Sequence, residues 1–567
     1  MTAKLIPVFL AAAAALLAQS NATGNSGGTN ANAANSAVSG TVRDKVNGKP
    51  IANVTVATWT GVTYMGNTMI QSRAAKQVKA TTDESGRYRL GDLPPGAYRI
   101  DAYDNQRRFS LTRHVALNGQ DIDGIDFAVT QPGVITGKVL DENKDPVPNM
   151  MMALVSREYF MGGVGYYIRG RSRTNDLGEY TFNGVQPGHP YLIMAEFRVM
   201  QLPALSEVPL NPKLRKRIAA RTFYPNSPDK EGGQAVTLSP GEHREGMDLE
   251  AKKTQSYCVD GAVTGPHGGN VSFEIAAMEP GSGINPSGGG FSVAPGGTLG
   301  ADGKFRICDL TPGTYRFTAR DTVTTPNQPP PNYLSAPIVV ADEDQHNLKF
   351  ALSGGIAVPG EVVLDGTAPS QPIATKISVM LTPMFRAPYV GELGVPPSAI
   401  PGTFTIPAKP ADDYRAWAQL FAPGLYIKDI TYADRSVMTE PVRLGSAMTG
   451  AGGLRVVVGQ DGATITAQVR DKDGNPVPDV HIYVLPAGAP NQAALAAQIQ
   501  QGETDQTGMY TSVTLAPGKY YVAATADTYD AGVESIDKLW RTRNRFTEVN
   551  AAPGATTTVP LTPIKLD

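Results

Sequence analysis

The chain has 567 residues, with 60 glycines, 45 prolines and a formal net charge of −2. Apolar residues make up 41% and charged residues 18%, which is too apolar for a disordered chain and suits a folded protein rich in turns. The small net charge gives no electrostatic case for binding nucleic acid or acidic lipid, and the length exceeds that of one β-sandwich, so several domains are expected.

The N-terminal residues 1–20 are predicted to be a secretory signal peptide. Lys4 precedes an apolar run from Leu5 to Ala18, and small residues follow at the expected cleavage position. The run is short for a membrane-spanning helix and no other stretch is longer, so no transmembrane segment is expected in the mature chain. Residues 21–35 are mainly Asn, Gly, Ala, Ser and Thr and are predicted to be a flexible linker. The expected location is therefore periplasmic, cell-surface or extracellular.

A short motif recurs along the rest of the chain. Each copy has a glycine, an aromatic residue two positions later, Pro-Gly beginning nine positions after the glycine, and then a tyrosine. Copies begin at Gly86, Gly178, Gly303 and Gly508, and an eroded copy is expected at 422–426. Such self-similarity predicts one small module that is used about five times.

Each copy of the motif has the pattern of a β-hairpin. In the first copy Asp83 and Gly86 suit a tight turn, after which Tyr88 and Leu90 alternate with arginines as in a half-buried strand. Further short strands are expected upstream, at 38–42 and 50–56, and downstream, at 125–129. About seven short strands separated by turns predict an all-β sandwich.

These motifs together resemble the carboxypeptidase regulatory-like domain. The shared pattern is (I/V)-x-G-x-V, then P-(V/I)-x-x-V, then D-x-x-G-x-(Y/F) and finally L-x-P-G-x-Y. The resemblance implies a tandem array of about five transthyretin-like (Ig-like) seven-stranded sandwiches, with Cna-B-like and carbohydrate-binding-like relatives. It implies a structural or binding role rather than a catalytic one, although a fold alone does not determine function.

The predicted modules 1 to 5 occupy residues 36–131, 132–252, 253–353, 354–458 and 459–567. Module 2 has long insertions, including 156–173, and module 4 is the most divergent. Helices are expected at 212–221 and 491–499. The joins between modules are short, which predicts a semi-rigid string of beads.

Cys258 and Cys308, the only two cysteines, both fall in module 3. An exported compartment and an even count favour a disulfide between them, and the alternative is two free buried thiols. The six histidines are isolated from one another, and the one G-x-S-x-G match, at 24–28, lies in the linker. No catalytic residue, metal site or cofactor is therefore predicted.

The strongest candidate for a contact surface is the arginine- and aromatic-rich segment 157–173. Packing of this segment against its own sandwich or a neighbouring module is expected, and the alternative is that its aromatic residues stack on sugar rings or contact a partner protein. The candidate ligand-binding residues are Arg157, Tyr159, Phe160, Tyr166, Tyr167, Arg169, Arg171 and Arg173.

The expected function is that of a non-enzymatic, exported, multi-module protein for binding, adhesion or scaffolding at the cell envelope. A polysaccharide or an envelope protein is the expected partner, and nucleic acid is not. One alternative is an accessory or regulatory subunit of an envelope enzyme or transporter. A second is a cryptic hydrolase whose catalytic residues come from different modules.

Overall fold

The computed structural model of the chain consists almost entirely of β-strands, which confirms the all-β prediction. It describes residues 35–65, 68–105, 109–160, 163–196, 217–265, 271–277, 296–300, 302–321, 332–366, 373, 376–383, 399–422, 424–445, 453–527, 529 and 532–566. The predicted signal peptide and the linker up to residue 34 lie outside these ranges. Within them, no helix has both the length and the apolar character needed to cross a membrane.

Module 1 shows the sandwich architecture in its simplest form. One sheet has the strand order β4-β1-β7 and the facing sheet has the order β3-β2-β5-β6. Strand β1 runs antiparallel to β4 and parallel to β7, and fully buried side chains such as Val38, Leu90 and Phe127 fill the space between the sheets. The strands are β1 (Ser36–Asp44), β2 (Thr55–Met65), β3 (Thr68–Thr81), β4 (Arg87–Leu93), β5 (Gly96–Tyr103), β6 (Ser110–Leu117) and β7 (Phe127–Val129).

Module 2 repeats this plan with a longer hairpin. Its sheets have the orders β11-β8-β15, with β16 also paired to β8, and β10-β9-β12-β14. The segment 156–173, expected to be an irregular insertion, instead belongs to the β9–β10 hairpin, and the described part of the helix expected at 212–221 contains the short strand β13. The strands are β8 (Gly133–Leu140), β9 (Met151–Phe160), β10 (Gly163–Arg173), β11 (Glu179–Val185), β12 (Leu192–Glu196), β13 (Arg217–Ala219), β14 (Thr222–Phe223), β15 (His243–Arg244) and β16 (Leu249–Glu250).

Module 3 contains the sheets β21-β18-β24 and β20-β19-β22-β23-β25, and its strand β17 pairs with β13 of module 2. Cys258 on β18 and Cys308 on β21 form a disulfide, as predicted. The strands are β17 (Lys253–Gln255), β18 (Tyr257–Thr264), β19 (Val271–Ala277), β20 (Gly296–Thr298), β21 (Lys304–Leu310), β22 (Gly313–Asp321), β23 (Asn332–Val340), β24 (Gln345–Ala351) and β25 (Ser353–Gly354).

Modules 4 and 5 follow module 3. Module 4 has sheets β28-β26-β33-β30-β31 and β27-β29-β32, and module 5 has sheets β37-β34-β40 and β36-β35-β38-β39. The strands of module 4 are β26 (Ile356–Leu364), β27 (Lys376–Pro383), β28 (Gly402–Lys409), β29 (Asp413–Phe421), β30 (Tyr426–Tyr432), β31 (Arg435–Ser436), β32 (Val442–Arg443) and β33 (Leu454–Gly459). Module 5 contains β34 (Thr464–Val469), β35 (His481–Pro486), α1 (Gln492–Gln498), β36 (Gln500–Glu503), β37 (Met509–Thr511), β38 (Gly518–Thr525), α2 (Val533–Thr542), a 3₁₀ turn (Arg543–Arg545), β39 (Thr547–Ala551) and β40 (Thr556–Leu561).

The tyrosine of the repeated motif has a structural role. In modules 1, 3 and 5 its hydroxyl donates a hydrogen bond to the backbone carbonyl four residues earlier, which ties the start of the strand to the preceding turn. The bonds are Tyr98 to Pro94 (2.7 Å), Tyr315 to Thr311 (2.8 Å) and Tyr520 to Ala516 (2.7 Å).

The same hydrogen bond locates the fourth copy of the motif. In module 4 the hydroxyl of Tyr414 bonds to the carbonyl of Pro410 at 2.9 Å, and Gly402 with Phe404 opens the strand before it. The copy therefore spans 402–414, with Ala411 and Asp412 in place of Pro-Gly, and the eroded copy expected at 422–426 was wrong. That expectation followed the Pro-Gly sequence, whereas the element that module 4 shares with modules 1, 3 and 5 is the tyrosine–carbonyl bond.

The helices of module 5 form an addition to its sandwich. The helix expected at 491–499 is confirmed as α1, whose N-cap Asn491 accepts a hydrogen bond from the amide of Ala494. Helix α2 was not predicted. The two helices enclose a second hydrophobic core on the outer face of the β35–β38 pair, in which Leu485, Leu495 and Leu539 are fully buried.

The modules do not form a string of beads. Arg113 of module 1 bonds to Glu503 of module 5 across 390 residues of sequence, and Glu158 of module 2 forms a β-bridge with Gly532 of module 5. Module 5 therefore packs back against modules 1 and 2. A short join restricts the relative orientation of two consecutive modules only, so it gave no basis for predicting contacts between modules that are distant in sequence.

Candidate ligand cleft between modules 2 and 5

The sequence-predicted site residues lie on the β9–β10 hairpin. Arg157 is paired with Tyr166, and Ser156 with Tyr167, in the antiparallel register. Because successive side chains of a strand point to opposite faces, Tyr166 and Tyr167 are directed to opposite sides of the sheet. The segment is therefore a regular strand pair rather than a loop that presents all its aromatic rings together.

The three tyrosines of the candidate set pack within the molecule. Tyr167 is only 4% exposed, and Tyr166 is half-buried beneath the ammonium group of Lys230, which lies 4.6 Å from its ring centre. Tyr159 packs against the second core of module 5. Burial raises the pKa of Tyr159, Tyr166 and Tyr167 and lowers the pKa of Lys230. The side chain of Phe160 lies outside what the structure describes.

The four candidate arginines have different environments. Arg169 donates from Nε to Oε1 of buried Glu158 at 2.6 Å, and the Ser156 hydroxyl also donates to this carboxylate. Arg173 donates to Oδ1 of Asn149 at 3.1 Å. Arg157 and Arg171 are both exposed.

A cleft of about 460 Å³ lies where the hairpin meets module 5. One wall contains Arg157, Glu158 and Arg169 of the hairpin, the second is the segment 182–191, and the third is the start of α2 at 532–535. The β-bridge between Glu158 and Gly532 joins two of these walls. The cleft therefore exists only when modules 2 and 5 are docked.

Two positively charged and two negatively charged side chains line the cleft. Its charged lining side chains are Arg157, Arg169, Glu158 and Glu534, and the pair between Arg169 and Glu158 is satisfied within the wall. The ring of His189 meets the ring of buried Tyr191 edge-on at 6.3 Å. The remaining lining combines amide and hydroxyl groups with apolar side chains, of which Leu154, Phe182 and Tyr191 are almost fully buried.

Sequence reasoning found only part of this site. Of its candidates, Arg157 and Arg169 line the cleft, whereas the segments 182–191 and 532–535 were not singled out. The glycines and prolines of 182–191 signal a turn, and nothing in the sequence indicates that this turn faces α2. Among the described residues, no group of three His, Cys, Asp or Glu side chains is placed to hold a metal ion.

An ion cluster holds module 5 against module 1. Arg113 on β6 is 13% exposed, and it lies 2.5 Å from Oδ1 of Asp479 and 2.9 Å from Oε2 of Glu503. His481 Nδ1 is 3.4 Å from the other oxygen of Glu503. Burial raises the pKa of Asp479 and Glu503 although Arg113 opposes this effect, and burial lowers the pKa of His481 to about 4.

A similar contact joins modules 3 and 4. Arg316 on β22 bonds to Oδ2 of Asp412 at 2.7 Å, and both side chains are largely buried. The hydroxyl of Ser335 donates to the same carboxylate oxygen. Asp412 lies in the turn that replaces Pro-Gly in the fourth copy of the motif, so the altered turn residue serves in docking between modules.

Comparison with known proteins supports the resemblance found in the sequence. No curated protein matches the chain. Among solved structures, the minor pilin GBS52 of Streptococcus agalactiae is 14% identical, with 39% of this chain and 96% of that chain covered and a TM-score of 0.24. A streptococcal ancillary pilin is 12% identical, with 56% and 99% covered and a TM-score of 0.17.

The Bacillus anthracis TIE protein is 9% identical, with 97% of this chain and 77% of that chain covered and a TM-score of 0.14. The family model of the carboxypeptidase regulatory-like domain matches residues 37–130, almost all of module 1, and confirms the resemblance that the motifs indicated.

Proposed function

We propose that the chain is an exported, non-enzymatic, multi-module scaffold and binding protein of the cell envelope, in which the five predicted modules are the structural units. The cleft between modules 2 and 5 is its ligand site. The observation that carries this proposal is the cleft of about 460 Å³ at a docked interface between two β-sandwiches. Concave sites at domain interfaces are a common location for ligands.

The contacts around the cleft support a preformed site. Tyr159 packs into the second core of module 5, and Arg113 ties the same module to module 1. Holding the walls in place before the ligand arrives reduces the ordering that binding would otherwise require. A polysaccharide and an envelope protein are both compatible with a scaffold of this kind.

Location and partner are tested by fractionation combined with crosslinking. Cells that produce the tagged full chain are separated into cytoplasm, envelope and medium, and a chain lacking residues 2–20 serves as the control. We expect the full chain in the envelope or medium and the truncated chain in the cytoplasm. Equal distribution of the two chains would contradict export.

Crosslinking in the same cells tests the cleft. Arg157→Ala is expected to reduce recovery of the crosslinked partner, while Arg171→Ala on the same hairpin leaves it unchanged. Co-purification of an enzyme or transporter in stoichiometric amount would favour the accessory-subunit alternative. Turnover of ester, glycoside or peptide substrates by the purified chain would favour the hydrolase alternative and contradict a non-enzymatic role.

A further inference from the structure

We propose that strand β3 of module 1 binds an extended, acidic segment of a partner protein, which pairs with the free side of β3 as a further strand of its sheet. The surface consists of residues 76–81, hereafter the β3 edge. It is separate from the cleft between modules 2 and 5 and adds a second binding site to the proposed function. Its free backbone groups, its charge and its counterpart in module 2 point to this role.

The β3 edge is a regular strand with one free side. Residues 76–81 pair with residues 55–60 of β2 without a register shift. In the order β3-β2-β5-β6, the other side of β3 has no neighbouring strand among the residues that the structure describes. Val78 and Ala80 pack against the core of module 1 and hold the strand in place. The free side is therefore presented by a firmly anchored strand.

Every second residue of the β3 edge directs its backbone to the free side. The amide of Thr82 donates to the carbonyl of Val54, just before β2, at 2.9 Å. Residues of an antiparallel strand alternately bond to the neighbouring strand and point away from it. Gln77, Lys79 and Thr81 therefore present both N–H and C=O groups outwards. An extended peptide that adds to a sheet edge pairs with such groups through main-chain hydrogen bonds.

The hairpin that contains the β3 edge is cationic. Residues 54–82 include Arg73, Lys76 and Lys79 and contain neither Asp nor Glu. Lys76 and Lys79 are exposed, and neither forms an ion pair with a residue that the structure describes. The β3 edge therefore attracts a partner that carries negative charge.

The two lysines define where the partner's acidic residues lie. Lys79 is in register with Ala57 of β2 and then with Asp101 of β5, but Asp101 already pairs with Arg99 at 2.9 Å. In a strand that pairs antiparallel with β3, the residues opposite Lys76 and Lys79 are three positions apart. Acidic residues at both places form cross-strand pairs of opposite charge. The expected segment therefore has two acidic residues separated by two others.

The corresponding part of module 2 already serves in docking. The strand order β10-β9-β12 of module 2 matches the order β3-β2-β5 of module 1. The β9–β10 hairpin docks on module 5, since Glu158 bridges to Gly532 and Tyr159 packs into the second core. In the described part of module 1, β2 and β3 pair only with each other and with β5. The β2–β3 hairpin therefore offers the same kind of element to a partner outside the chain.

Other occupants match the β3 edge less well. Pairing of β3 with β3 of a second copy would bring Lys76 and Lys79 of both strands together, and like charges across a strand pair are destabilising. An acidic polysaccharide would meet the lysines but has no alternating row of amides and carbonyls to pair with Gln77, Lys79 and Thr81. An acidic peptide in extended conformation uses both features at once.

The test measures the binding of fluorescein-labelled hexapeptides to the full mature chain by fluorescence anisotropy. The probe TEVTET has acidic residues three positions apart, TKVTKT reverses its charges, and TEETVT keeps its composition but places the acidic residues side by side. We expect TEVTET to bind about tenfold or more tightly than TKVTKT, because two pairs of opposite charge become pairs of like charge. TEETVT should bind more weakly than TEVTET. Hydrogen exchange of residues 76–81 should slow when TEVTET is bound.

Two variants separate the backbone contribution from the charge contribution. Gln77→Pro removes an outward N–H that β2 does not use, so the fold should be kept while peptide binding is lost, and Gln77→Ala should bind as the native chain does. Lys76→Gln combined with Lys79→Gln should weaken binding by about tenfold. Its matched control is Lys49→Gln combined with Lys472→Gln, which removes the same charge from exposed positions elsewhere and should leave binding unchanged.

Several results would overturn the proposal. These are equal binding of TEVTET and TKVTKT, and TEVTET binding that survives Gln77→Pro. If that variant does not fold, TEVTET peptides N-methylated at alternate residues in the two possible phases replace it, and undiminished binding of both contradicts strand pairing. Binding of tetragalacturonate alone, or a dimer in sedimentation that Lys79→Glu alters, would assign the β3 edge to another occupant. Arg157→Ala should leave TEVTET binding unchanged, so failure here does not affect the cleft.

Discussion

Replacing Arg113 with alanine should release module 5 from module 1. The guanidinium group is 13% exposed and is the cation for two carboxylates, those of Asp479 and Glu503. Removing it leaves two partly buried negative charges close together without a counterion. Because these carboxylates have raised pKa values already, their ionised forms depend on Arg113 for compensation.

The free-energy cost of Arg113→Ala depends on how deeply the two carboxylates are buried. Removing one partner from a fully buried ion pair costs about 3–5 kcal/mol. Asp479 is 36% exposed and Glu503 is 24% exposed, so water can partly replace the lost cation. We therefore expect about 2 kcal/mol, which is roughly a 30-fold shift of the docking equilibrium towards an open form.

Hydrogen exchange measured by mass spectrometry detects this opening. Amides in β6 and in the segment from β35 to β36 should exchange faster in Arg113→Ala, while those in modules 3 and 4 stay unchanged. Arg99→Ala is the matched control, since Arg99 lies in the neighbouring strand β5 and its pair with Asp101 at 2.9 Å stays within module 1. A double-mutant cycle with Glu503→Gln measures the interaction energy between Arg113 and Glu503.

Two results would refute the reasoning about Arg113. The first is unchanged exchange at β35 and β36 in Arg113→Ala. The second is a coupling energy between Arg113 and Glu503 below about 0.3 kcal/mol, the usual limit of additivity for independent sites. Either result would mean that the contact does not hold the two modules together.

Further predictions concern stability. Replacing Cys258 and Cys308 by alanine should lower the unfolding free energy of module 3 by about 4 kcal/mol, because the bridge closes a loop with a sequence separation of 50; a urea titration showing no change would contradict this. Tyr520→Phe should cost about 1 kcal/mol by removing its bond to Ala516, and Tyr98→Phe in module 1 should cost a similar amount; denaturation midpoints measure both, and no loss in either would refute a stabilising role for the bond. Protonation of His481 should lower the unfolding free energy by up to about 3 kcal/mol as the pH falls from 6.5 to about 4, because the imidazole binds its proton at a higher pH in the unfolded state than in the folded state. The raised pKa values of Asp479 and Glu503 change stability in the opposite direction as the pH falls. The readout is therefore the slope of unfolding free energy against pH, compared between the native chain and His481→Gln. Equal slopes would exclude the effect.

The sequence predicted the fold well because the relevant forces are local. Alternation around Tyr88 and turn residues such as Asp83 and Gly86 determine a hairpin within about 20 residues, as does the N-cap Asn491 for α1. The error at 422–426 shows the limit of this reasoning. A tyrosine–carbonyl bond can form without Pro-Gly, so matching letters led to the wrong segment.

The candidate site was only half predictable because it depends on contacts between distant parts of the chain. Arg157 and Arg169 were singled out because arginines interleaved with aromatic residues suit a contact surface, and both line the cleft. The tyrosines between them were expected to pack within the protein rather than to face a partner, and Tyr159 and Tyr167 are covered by the protein itself. Which face of a strand is covered depends on what packs there, and α2 was not predicted.

The sequence by itself predicted the β-sandwich repeat and favoured a disulfide between Cys258 and Cys308, because strand alternation and turn chemistry act over short distances and both cysteines fall in one module. Only the tertiary structure decided that module 5 packs back against modules 1 and 2. That arrangement depends on a few contacts, such as Arg113 with Glu503 and Glu158 with Gly532, between residues with no sequence relation. The cleft is a consequence of this docking, and its chemistry therefore appears only when the folded modules are brought together.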